Sequence, residues 1–393
     1  MSAQHLDSPA ESFPSKASQP VTLLPARTES QRLYFVQWLR VFLISLVVAH
    51  HAGQPYGPTG GSWPVHDAAQ TPWLGPFFAL NAAFFMGFFF LIAGYFTPGS
   101  YDRKGPASFV RDRLIRLGIP LVFFVFVVFG PLVYLFNKPA EGFLPFYLFT
   151  YVGQWKIQMG PLWFLAQLLA YSLLYAVWRL ASAALGRSGT RTFAPPSNRA
   201  VLIYALALGL VGALVRTRYP QDVWVNILGV VPAELAHLPQ YVSLFVIGIV
   251  AGRNGWFTRI APAIGKLWLA IGAAAFVAAM AFYVAQPRLG GAINLQVAWG
   301  FLESFVCVGM ILGLSILFRR YCAAPGVWLS QLEGNVYGVY LIQFFVVVAA
   351  QMAIVALPLP ATAKFLLVAI ASLVICFSLV AAVRQIALVR RVV

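Results

Sequence analysis

Residues 75–96 read GPFFALNAAFFMGFFFLIAGYF, twenty-two residues without one charged side chain. As a helix this stretch rises about 33 Å, enough to cross the ~30 Å hydrocarbon core of a bilayer. It is apolar on every face, as a membrane span is and a soluble surface helix is not. Working outward from it, apolar runs of similar length recur at 34–52, 117–136, 161–180, 200–216, 237–252, 267–285, 296–318, 336–357 and 363–383. The composition agrees. Of 393 residues 60% are hydrophobic and 10% charged, and the mean hydropathy is +0.79. A soluble domain carries roughly 25% charged residues. Soluble domains are thereby excluded, and the chain is read as an all-α integral membrane protein of about ten transmembrane helices. The run at 237–252 is the weakest. Pro232, Glu234 and His237 crowd its entrance, and the stretch 223–236 before it is expected to be a re-entrant piece or a surface helix.

The formal net charge of +16 needs no nucleic-acid partner. Cytoplasmic loops of membrane proteins collect Lys and Arg. With the N-terminus inside, twenty Lys and Arg fall on cytoplasmic segments and six outside: Lys138, Lys156, Arg216, Arg218, Arg288 and Lys364. An even number of spans then puts both termini in the cytoplasm. Residues 1–30, rich in Ser, Pro and Gln and without an apolar run of signal-peptide length, are expected to be a disordered, uncleaved tail. The membrane domain is assigned to 31–386 and a short basic cytoplasmic tail to 387–393. Cys307, Cys322 and Cys376 show no CxxC spacing, so neither a disulfide framework nor zinc is expected. His66, Asp67 and His237 are too scattered to claim any metal site.

Ionisable residues inside spans are costly, and each one calls for a functional reading. Arg40 and His51 lie eleven residues apart in the first run. Eleven helical steps come to about 1,100°, roughly 20° past three turns, so the two share one face about 16 Å apart along the axis. His50 falls about 80° off that face. A cation near the cytoplasmic mouth and an imidazole three turns deeper suit an anionic ligand that threads a reactive group inward. Spacing alone equally allows a snorkelling arginine and an interfacial histidine. Arg113 and Arg116 stand three apart in the most basic loop, on one helix face suited to phosphate. Positive-inside topology explains them as well. Glu303, within the eighth run, is positioned either to orient His51 or to pair with an arginine, and Glu333 to set the cytoplasmic interface. Asn81, Trp163, Tyr337 and Tyr340 are candidate tunnel-lining groups. Tyr56, Trp63, Trp73, Tyr147, Tyr151 and Trp155 in the outside loops suit either an interfacial belt or stacking on sugar rings.

The chain resembles acyltransferase family 3 of membrane O-acyltransferases. The family's Arg, ten residues, His motif matches Arg40 and His51, and its Arg-x-x-Arg matches Arg113 and Arg116. FFFLIAGYF (88–96), GPLWFLAQLLAYSLLY (160–175), LPQYVSLFVIGIVAG (238–252) and NVYGVYLIQ (335–343) resemble further family blocks, in family order. Two positions depart: Ala93 stands where Ser is usual, and Gln343 where His is common. The resemblance implies about ten helices around a buried tunnel in a bacterial cytoplasmic (inner) membrane. It implies acyl-CoA as donor substrate, no permanently bound cofactor, and a carbohydrate or glycoconjugate hydroxyl as acceptor. In that frame Arg40, Arg113 and Arg116 hold CoA phosphates and His51 takes the proton of the attacking hydroxyl, with Glu303 as a supporting carboxylate. Trp163, Tyr340 and Gln343 line the tunnel. The Gln343 departure removes a second acid/base group and leaves the last block only a shaping role.

A carrier for a sugar conjugate or organic anion is the alternative from another class. Paired repeats and matching Pro/Gly-broken spans, common in carriers, are not seen. An inactive relative that scaffolds a polysaccharide synthase is the third reading, against which the intact basic pairs argue.

Overall fold

In the computed structural model, residues 33–58, 63–186, 192–289 and 294–392 are described. The proposed tail 1–30 lies outside them, and the rest belongs to one unit beginning at Tyr34. The chain is an all-α integral membrane protein. Its helices are α1 (Tyr34–Gly53), α2 (Leu74–Lys104), α3 (Pro106–Asn137), α4 (Phe143–Gly153), α5 (Trp163–Ala184), α6 (Asn198–Arg216), α7 (Leu238–Asn254), α8 (Pro262–Ala285), α9 (Leu295–Tyr321), α10 (Leu329–Ile354), α11 (Ala361–Val383) and the short α12 (Ala387–Val392). Among the described residues, nine helices are long and apolar enough to cross a membrane, and each coincides with an expected run. Their outward faces remain apolar, with Leu174, Val177, Leu214, Val284 and Ile370 exposed. A bilayer, not water, is the solvent such a surface fits.

The tenth expected run is α7, at 17 residues about 25 Å long and short of a full core. Its position shows what it does. A Cβ at Gly248 would lie 2.3 Å from the Leu91 carbonyl oxygen, and one at Gly252 2.0 Å from that of Tyr95. A Cβ at Gly87 would meet the Leu244 and Gln240 side chains, at 2.7 and 2.9 Å. Ascending residues of α2 therefore meet ascending residues of α7. The helices run parallel in backbone contact, the close approach small residues permit in membranes, and α7 occupies the depth of a spanning helix. Gly252→Ala is expected to force the pair apart and cost about 1–3 kcal/mol, as overpacking does; thermal unfolding in detergent measures it.

The stretch 223–236 is not a helix. It forms an antiparallel hairpin, β1 (Trp224–Ile227) with β2 (Val231–Glu234), in the register Trp224↔Glu234. Leu228 and Gly229 turn it in the left-handed region, at φ 51° and 74°.

Helix α3 is not uniform. It is π-helical over Leu114–Gly118 and Phe123–Phe129, just before Pro120 and Pro131. Each proline lacks the N–H that would satisfy a carbonyl one turn back. In a membrane those carbonyls need another donor. Tyr337 donates to the Arg116 carbonyl, and Tyr147 and Tyr151 donate to those of Phe126 and Val125 at 2.8 Å. The hydroxyls of these three tyrosines are thus committed to backbone.

Helix α1 is central, packed against α2, α9, α10 and α11. Leu39, Leu43, Ile44 and Val48 are fully buried there. This placement puts the two motif residues of α1 inside the bundle.

Candidate active site

Three polar contacts join α1 to α10. Arg40 donates to the Glu333 carboxylate at one end. His51 Nδ1 lies 2.8 Å from Gln343 Oε1. Gln351 Nε2 donates to the His51 and Ala52 carbonyls at 2.9 and 3.2 Å. Residue numbers rise together, so the helices are parallel, and the Arg40/His51 spacing is matched by that of Glu333 and Gln343.

The Gln343 contact decides the state of the imidazole. An amide oxygen only accepts, so with Gln343 in this orientation Nδ1 carries a proton, and in the neutral ring the lone pair is on Nε2. Nε2 makes no hydrogen bond to a described residue. Trp63 stacks on the ring at 5.2 Å and 23°, and its own Nε1 donates to Gln351 Oε1 at 2.8 Å. His51 is therefore fixed on one edge and one face. Gln343, fully buried, does more than shape a tunnel. His50 has different company: its ring packs against Phe78 at 5.1 Å and Phe85 at 5.2 Å.

Both histidines line a cavity of about 370 Å³, within the ~300–1,000 Å³ usual for small-molecule sites. Trp163 and Tyr340 line it too, but Gln343 stands behind His51 and not on its wall. The Tyr340 hydroxyl donates to the Pro161 carbonyl and ties α10 to the start of α5. The rest of the lining includes Gln221, Asp222, Glu234, His237 and Tyr241, from the hairpin region and α7.

Glu303 does not reach His51. It takes the other expected role and pairs with an arginine, Arg216. Its second oxygen lies 2.9 Å from His237 Nε2, and His237 Nδ1 lies 2.6 Å from Glu234 Oε2. Carboxylates accept only, so the imidazolium form gives one N–H to each; Arg216 Nη2 also lies 3.1 Å from Nε2. The four groups, buried and balanced two against two, tie α6, α9 and α7 to the hairpin. Glu234 also accepts the Asp222 backbone N–H at 2.9 Å. Burial favours the neutral form of Glu234, but the adjoining His237 outweighs it and lowers the carboxyl below its ordinary value. Burial, with the charge of Glu234 beside it, raises Asp222.

Arg113 and Arg116 lie on the same turns at the start of α3. Arg113 sits over the Phe109 ring at 4.9 Å, with its Nε unpartnered, while Arg116 lies 3.4 Å from Asp112. Glu333 and Tyr337, one turn apart on α10, hold Arg40 and the Arg116 backbone respectively. Arg40 and Arg116 therefore gather at the start of α10, away from the His51 end.

Several contributors were missed from sequence. Arg216 and Lys364 counted as outside-loop charges, yet Arg216 is buried on Glu303 and Lys364 on Asp67 at 2.7 Å. Their place at the ends of apolar runs was the available signal. Gln351 carried none, and Trp63, singled out as an outside-loop aromatic, stacks on His51.

A central helix thus presents a held imidazole to a cavity, with arginines gathered at its other end. The chain belongs to acyltransferase family 3: the family described as "Acyltransferase domain" matches residues 33–381. It is similar to glucans biosynthesis protein C of Escherichia coli (strain K12), 29% identical over 155 residues, which are 38% of this chain and 39% of the relative. The protein of that name from Salmonella typhimurium (strain LT2) is 34% identical over 91 residues, 23% of each chain. The matched stretches thus span two-fifths or less of these relatives. No solved structure matches the chain at a significant level.

Proposed function

We propose that this protein moves a short acyl group, acetyl or succinyl, from acyl-CoA to a hydroxyl of a carbohydrate or glycoconjugate, with His51 as general base. The observation that supports this reading is the His51–Gln343 contact: it engages Nδ1 of a residue that lines the cavity, and the neutral ring then has its lone pair on Nε2. Nε2 takes the proton as the acceptor oxygen bonds to the thioester carbonyl carbon. The tetrahedral intermediate collapses, the C–S bond breaks, and the imidazolium returns the proton to the departing thiolate. Base and acid are then one residue, and Gln343 keeps the ring in the tautomer both steps need.

The arginines serve the donor. Arg113 and Arg116 offer forked donors to CoA phosphates, and Arg40, which gives one N–H to Glu333, has others to spare. Arg113→Ala or Arg116→Ala is expected to raise the KM for acyl-CoA roughly 10–150-fold, the loss typical of a charged contact of about 1.5–3 kcal/mol. Lys restores it only in part, because it lacks the planar fork. Normal donor affinity in both folded Ala variants would reduce the pair to a topology signal.

The relatives' name concerns glucan biosynthesis, so a glucan is the first acceptor to test. The setting is a bacterial inner membrane, with donor entering from the cytoplasm and acceptor from the other side. Mass spectrometry of envelope glycans from cells with and without the protein is the test. An acyl mass lost with the protein is expected; identical glycans would contradict the reading.

A further inference from the structure

Tyr241 and Asp222 are polar groups on the cavity wall whose side chains are used by neither His51 nor the buried ion network. Tyr241 is 3% exposed, yet its hydroxyl makes no hydrogen bond to a described residue. Its ring is fixed by stacking on His237 (5.7 Å, 18°) and on Trp163 (5.4 Å, 23°). All three residues line the same cavity as His51. A hydroxyl with a fixed ring and no protein partner on a cavity wall is open to bond with whatever enters the cavity.

Asp222 is the second group. Its carboxylate has no ion-pair or hydrogen-bond donor among the described residues, and it too lines the cavity. Its backbone sits at φ 64°, the left-handed region that non-glycine residues seldom adopt and that recurs at functional sites. The bond from its N–H to Glu234 holds it there, and Glu234 is held in turn by His237, Glu303 and Arg216. The buried network thus has a use: it fixes the backbone that presents Asp222.

We propose that Tyr241, Asp222 and Trp163 form the acceptor subsite of this cavity, built for a neutral polyhydroxylated ring whose hydroxyls bond to Tyr241 and Asp222 while its apolar face stacks on Trp163. Glu234 is offset by His237, but the charge of Asp222 is not, so the subsite disfavours anionic sugars. His237 gives both N–H groups to carboxylates and has none for an acceptor. This rests on the acyl-transfer reading above and adds to it the residues that choose the acceptor.

The test uses full-length protein in membranes, labelled acetyl-CoA or succinyl-CoA, and two probes: the neutral glucan fraction from cells lacking the protein, and an oligomer of glucuronic acid. Tyr241→Phe keeps the stacking and removes only the hydroxyl. It is expected to raise the KM for neutral glucan about 2–10-fold, and Asp222→Asn roughly 10–150-fold, the losses typical of a neutral and a charged hydrogen bond. The KM for acyl-CoA should stay within twofold in both. Asp222→Asn should also narrow the preference for the neutral over the anionic probe. An unchanged glucan KM in both variants, or equal rises in the glucan and acyl-CoA KM, would overturn the subsite. No transfer to either probe by the wild type would instead overturn the acyl-transfer reading.

Discussion

Turnover of His51→Ala is expected to fall about 10²–10⁴-fold, the range typical of losing a general base. The loss should appear in kcat with the KM for acyl-CoA largely kept, because the arginines at the other end of α1 are untouched. His50→Ala should retain most activity. Both histidines line the cavity, but only His51 has a partner that fixes its tautomer. His50 lies between phenylalanines with its Nδ1 unpartnered, so no neighbour sets its tautomer. The two variants are compared in the same membranes at matched protein levels. A dead His50→Ala with an active His51→Ala would reverse the assignment.

Glu303→Ala should act on stability. It leaves Arg216 and His237 buried together with only Glu234 to balance them. Removing one partner of a buried ion pair typically costs about 3–5 kcal/mol, because the other charge is left uncompensated. Glu303→Gln keeps the shape and should cost less. The expected readout is a lower unfolding temperature in detergent, steeper for Ala than for Gln. Equal unfolding temperatures for wild type and Glu303→Ala would contradict the buried arrangement. Because Glu303 stands apart from His51, the folded fraction of either variant should lose less turnover than His51→Ala does.

How much of this was legible beforehand follows from the range of each signal. An apolar run is local, and each of the nine long helices lies where its run does. Helix phase is local too, so Arg40 and His51 could be placed on one face of α1 without a structure. Their partners could not: Glu333 and Gln343 are 293 and 292 residues away, and no spacing rule reaches that far. Arg216 and Lys364 sat at helix ends, where an unpaired cation and a buried one look alike until Glu303 and Asp67 fold against them. The hairpin was missed because its strands are four residues each, too short for alternation to show. The π-helical parts of α3 had a visible cause in Pro120 and Pro131, but the tyrosines that answer the freed carbonyls come partly from other helices. Gln343 looked like a weakened family position. Only its contact with Nδ1 shows that an amide can still hold the ring.

The central claim is acyl transfer, and its most direct test removes the second compartment. The purified protein in detergent, given labelled acyl-CoA and the glucan fraction from cells lacking it, should move the label onto glucan, with His51→Ala reduced about 10²–10⁴-fold. A carrier has nothing to carry where no membrane separates two sides. Label that stays on CoA in detergent, while sealed vesicles bearing the protein take up labelled substrate, would contradict the account.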